Sequence, residues 1–95
     1  MIGLSADELL DEKIGVHLEK TAKGTSEIQD LYDIWILKDR ARVTKAVKSR
    51  LDGLVQATRK GMPSNSGSLR ALILSGVAPS PDQMLDDLMG VAVAD

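Results

Sequence analysis

His17 is the chain's one histidine and cysteine is absent, so any acid–base or nucleophilic chemistry would have to be built around a single imidazole. A serine or threonine nucleophile needs a base within hydrogen-bond reach and a third group to orient that base. On the first expected helix His17 lies about 60° from Ile14, at the border of the apolar stripe, where a histidine is structural or solvent-facing. No second His or Cys stands three or four residues away, so the spacing offers no metal pair. The acid pairs Asp7-Glu8, Asp11-Glu12 and Asp86-Asp87 fall in first turns or on helix surfaces, where they complement the macrodipole and aid solubility. Residues 61–67 hold Gly and Ser without the Lys-Ser/Thr ending of a phosphate loop. The residues therefore read as a non-enzymatic chain with no catalytic set, metal site, cofactor or small-molecule substrate.

Charge is the feature that stands out. Residues 1–37 carry a balance of −5, residues 38–60 a balance of +6 and residues 61–95 a balance of −3. On a continuous helix, Lys38, Arg42, Lys45, Lys48, Arg59 and Lys60 share about 120° of arc, opposite Val43, Val47, Leu51 and Leu54. An ordinary solvated face mixes signs, because like charges four residues apart cost a few tenths of a kcal/mol. This stripe either lies against acidic neighbours, in its own chain or another, or meets a polyanion. Phosphate contact is within its means; base readout is not, since Gln56 is the one amide beside it.

The elements that carry these residues are helical. A length of 95 residues allows one domain, and 43% apolar with 27% charged residues is the composition of a soluble globular protein. No run approaches the ~20 apolar residues of a bilayer span, and residues 1–8 lack the pattern of a signal peptide. Membrane binding is disfavoured and a cytoplasmic location expected. Tyr32 and Trp35 are the sole aromatics, which removes aromatic cages and base-stacking platforms.

Ser5-Ala6-Asp7-Glu8 and Ser26-Glu27-Ile28-Gln29 have the capping-box form, and Gly24 and Gly61 follow the two segments they open. They predict a helical hairpin of residues 5–23 and 26–60. Residues 69–74 read as a short helix or a buried strand ended by Gly76. Ser80-Pro81-Asp82-Gln83 starts a last helix ended by Gly90. The expected fold is all-α, with a flexible loop at 61–68 and a frayed tail at 91–95.

A helix over 26–60 would be about 52 Å long in a domain roughly 30 Å across. Its apolar face also turns by about 150° near Ile34-Trp35-Ile36-Leu37. Such a helix must kink near 34–39, become two helices, or overhang onto a second chain. The last option predicts a homodimer, with Trp35, Ile36, Leu37, Val47, Leu51 and Leu54 as core or interface. The resulting expectation is a self-associating helical interaction protein: an adaptor, chaperone-like or assembly component. The alternative is a nucleic-acid-binding protein that uses the basic face of residues 38–60.

Overall fold

A computed structural model describes residues 5–61 and 68–94. They form five helices: α1 (Ala6–Lys23), α2 (Ile28–Leu37), α3 (Lys45–Lys60), α4 (Ser68–Leu74) and α5 (Pro81–Met89), with no strand among the described residues. Residues 69–74 are thus helix. The Ser5 hydroxyl accepts from the Glu8 amide, and the Ser80 hydroxyl accepts from the Gln83 amide, as their capping signatures require. The box at Ser26 does not form. Glu27 is the N-cap, without a side-chain bond, and Ile28 is buried against Leu69 and Ala78. Packing, rather than a hydroxyl, sets where α2 begins.

The segment 26–60 is two helices. After Leu37 the chain turns, and Thr44 caps α3 by accepting from the Val47 amide at 3.3 Å. Backbone groups that an unbroken helix would bond internally are taken from outside. The Arg42 N–H donates to Asp7 Oδ1 at 2.6 Å, and the Val43 carbonyl accepts from the Ala94 N–H at 2.8 Å. Val43 itself is buried.

The break also explains the rotated apolar face. Helices α1 and α5 each pack against both α2 and α3. The core is Leu10 and Ile14 of α1, Leu31 and Ile34 of α2, Val43 of the turn before α3, Leu51, Leu54 and Val55 of α3, and Met84, Leu85 and Leu88 of α5. The partner assigned by length and phase to a second chain is α5 of the same chain. With extents of 35 × 28 × 28 Å, no helix among the described residues overhangs, and the length argument for a dimer falls away.

Helix α4 belongs to a smaller cluster of Ile28, Leu69 and Ala78, flanked by Tyr32 and Ile73. It ends in a Schellman turn: Gly76 (φ 82°) donates to the Ile73 carbonyl and Val77 to the Leu72 carbonyl. The tail expected to fray is docked over 91–94, held by the Ala94 bond to Val43 and by Val91 against the core. Asp95, and the loop expected at 61–68 except for Gly61 and the Ser68 backbone, lie outside the described residues. No described helix is long and apolar enough to cross a membrane.

Candidate functional site

The expected interface residues sit largely inside the chain. Leu51 and Leu54 are completely buried, while Trp35, Leu37 and Val47 pack half-buried against the core. Ile36 and Leu37 line a groove of about 290 Å3 between α1 and α2, together with Leu9 and the ion pair Lys13–Asp33.

The basic stripe does not survive as one face, because the turn at 38–44 breaks the phase between Lys38 and Arg42 and the four stripe residues on α3, Lys45, Lys48, Arg59 and Lys60. Lys38 Nζ lies 4.7 Å from the centre of the Trp35 ring and 3.0 Å from Asp39. The Arg42 guanidinium reaches the Ala94 carbonyl at 3.4 Å. Lys45 and Lys60 are exposed at the two ends of α3. Lys48 bonds Asp52 at 2.6 Å and the Met89 carbonyl at 2.8 Å, placing a cation at the negative end of the α5 dipole. Arg59 pairs with Asp86 of α5 at 2.6 Å. Arg50, outside the predicted stripe, crosses Gly15 to pair with Asp11 of α1. These partly exposed pairs contribute about 0–1 kcal/mol each. Their larger effect is to fix α3 between two acidic helices and to neutralise its charge there.

His17 is buried rather than at a border, with 1% of its surface exposed. Its Nε2 lies 3.2 Å from Thr58 Oγ1, and the Thr58 hydroxyl donates to the Leu54 carbonyl at 2.7 Å. With the hydroxyl proton so used, the oxygen accepts from Nε2–H, leaving Nδ1 as the unprotonated nitrogen. A histidine beside a hydroxyl has the spacing of a base and its nucleophile, but Thr58 has no exposed surface and its proton points away. Burial is the main reason the imidazole's pKa is lowered; Asp30 opposes this and Lys20 adds to it.

Between the α2–α3 turn and the end of α5 lies an open cleft of about 730 Å3. Ala41, Val43 and Val91 give it apolar surface, and Lys38, Asp39, Asp86 and Asp87 give it charge. Asp87 accepts from the Trp35 indole N–H at 2.9 Å and from Gln83 Nε2 at 2.8 Å. Those two bonds, the indole's foremost, hold its carboxyl below the usual range, so it is an anion at neutral pH and no proton donor. Asp86 is taken by Arg59, and Lys38 by Asp39 and the indole. The charges here hold elements together. Among the described residues no group of three or more His, Asp or Glu is placed to hold a metal ion.

Sequence reasoning missed the exposed apolar corner at the end of α4. Leu74 is 78% and Val77 72% exposed, and Leu72, whose carbonyl accepts from the Val77 N–H, is 39% exposed. The signal was present: in a Schellman turn the residue after the glycine meets the helix residue five positions earlier, here Val77 and Leu72. No protein-family model, curated protein or solved structure matches the chain.

Proposed function

We propose that this is a non-enzymatic helical interaction protein, an adaptor or assembly component of the cytoplasm, that associates with a second copy of itself through the α4 corner. The observation that carries the reading is the exposure of Leu74 and Val77, three residues apart across the Gly76 turn at 78% and 72%, well above every other large apolar residue described, of which Met89 at 49% comes next. Apolar side chains grouped in this way mark association surfaces. The pairing of Lys48, Arg50 and Arg59 with acids or a carbonyl of this chain supports a protein partner over a nucleic acid.

Light scattering over a concentration series, on the wild type and on Leu74→Glu/Val77→Glu, tests self-association. The expected result is a dimer for the wild type and a monomer for the variant, with equal helicity. A wild-type monomer at high micromolar concentration removes it. Duplex DNA titrated at several salt concentrations tests the alternative: about four phosphate contacts give a log–log slope near −3.6. Binding with that slope, abolished by Lys38→Glu/Arg42→Glu/Lys45→Glu, would replace the proposal with the nucleic-acid reading.

A further inference from the structure

We infer that His17 is an acid-sensitive latch between α1 and α3, closed while its imidazole is neutral and released when Nδ1 takes up a proton. The closed state rests on one bond, from Nε2–H to Thr58 Oγ1, between side chains that are 1% and 0% exposed. Nδ1 is buried and has no hydrogen-bond partner among the described protein atoms. Thr21 Oγ1, one turn along the same helix, is buried and equally unpartnered, and neither atom finds the other within bonding distance. Protonation would therefore place an N–H and a full charge where no acceptor waits, which a buried site tolerates only by opening.

The surrounding charges do not rescue the cation. On α1 itself, Lys20 repels it, while Lys13 is paired with Asp33 of α2. Asp30 of α2 attracts it but is bonded to Lys20 at 3.1 Å. From α3 the imidazole meets the neutral Thr58; Arg50 is turned to Asp11 and Arg59 to Asp86. Opening here exposes the α1 face that carries Leu10 and Ile14.

The sign follows from linkage. The unfolded chain binds a proton at His17 below the ordinary value of about 6.5, and the closed fold does not. Above that pH the latch contributes its full effect. As pH falls below it, the unfolding constant rises by up to tenfold per pH unit, until the folded state also takes up the proton.

Because His17 is the only histidine, its ring resonances in a nitrogen-labelled sample report it alone. The expected result is the Nε2–H tautomer at pH 7.5 and a midpoint below 6.5. Thermal unfolding between pH 7.5 and 5 should show a falling midpoint for the wild type and a flat one for His17→Gln, which keeps a donor without titrating. A ring that titrates at or above 6.5, a flat wild-type midpoint, or a variant that falls in parallel would overturn the latch. Should His17→Gln fail to fold, the wild-type ring titration and melts decide alone.

Discussion

The Trp35 indole N–H donates to Asp87 Oδ2 at 2.9 Å, joining α2 to α5 across 52 residues of sequence. The ring does more than donate. Tyr32 stacks on it at 5.8 Å between centres, and Lys38 lies over it at 4.7 Å. One side chain thus fastens the turn of α2 to the last helix while packing only half-buried against the core. A fully buried Trp→Ala change costs ~3–5 kcal/mol; for half-buried Trp35 the expected loss is about 2–3 kcal/mol. Trp35→Phe should lie between, since it keeps the stack and loses the donor. Urea unfolding of the three proteins checks the order.

The carboxyl of Asp87 makes a separate prediction about pH. Bonds from Trp35 and Gln83 favour its ionised form, so its folded pKa lies below the ordinary value of 3.8. A depressed acid contributes stability that is complete above its unfolded pKa and is lost as pH falls through the folded one. The Asp87–Trp35 bond should therefore outlast the His17 latch on acidification. Carbon-detected titration of the Asp87 carboxyl should give a midpoint below 3.8, and the Trp35 indole N–H should shift with the same midpoint. Separate midpoints would mean that the bond does not govern the carboxyl.

Gly15 lies inside the continuous helix α1, where a glycine costs helix propensity, and Arg50 fills the room beside it. A Cβ built there would sit 3.1 Å from Nη2 of Arg50, whose guanidinium crosses the helix to reach Asp11. Gly→Ala inside a helix gains ~1 kcal/mol of propensity. The contact is with the far end of a long side chain, which can move by a few tenths of an ångström. Gly15→Ala should therefore stabilise by about 0.5 kcal/mol, whereas Gly15→Leu should displace Arg50 and destabilise. Chemical denaturation of both variants, in the wild type and in Arg50→Ala, reads the coupling: the Leu penalty should shrink once Arg50 is shortened.

The helix starts at Ser5 and Ser80 are legible because each carries its hydroxyl and its Glu or Gln within four residues, so no tertiary information is needed. The start at Thr44 is not. Val47 stands where a capping box has Glu or Gln, and the first turn of α3 holds Lys45 and Lys48 rather than acids. What ends the continuous helix is Asp7 on Arg42 and Ala94 on Val43, contacts with the two ends of the chain that no local pattern announces. The same limit governs the charges. Eight bases within 38–60 are visible as a run, but that Arg59 meets Asp86 and Arg50 meets Asp11 depends on how α1 and α5 flank α3. His17 read as a border residue because its burial depends on Thr58, 41 positions away.

Two of the devices that hold the α2–α3 turn should be separable. Thr44→Ala removes the hydroxyl that accepts from Val47 and should cost about 1 kcal/mol, as loss of an N-cap generally does; Thr44→Asp should retain most of the stability. Asp7→Ala removes the carboxylate from the Arg42 amide, a charge-assisted bond at an exposed position, and should cost about 1 kcal/mol as well. Their local signatures differ. In amide hydrogen exchange, Thr44→Ala should speed Val47 and the first turn of α3, whereas Asp7→Ala should speed Arg42 and leave Val47 protected. If Asp7→Ala left Arg42 exchange unchanged, the carboxylate would not hold the turn, leaving the Thr44 cap and the Ala94–Val43 bond to do so. Shortening the tail by residues 91–94 would then be the change that loosens it.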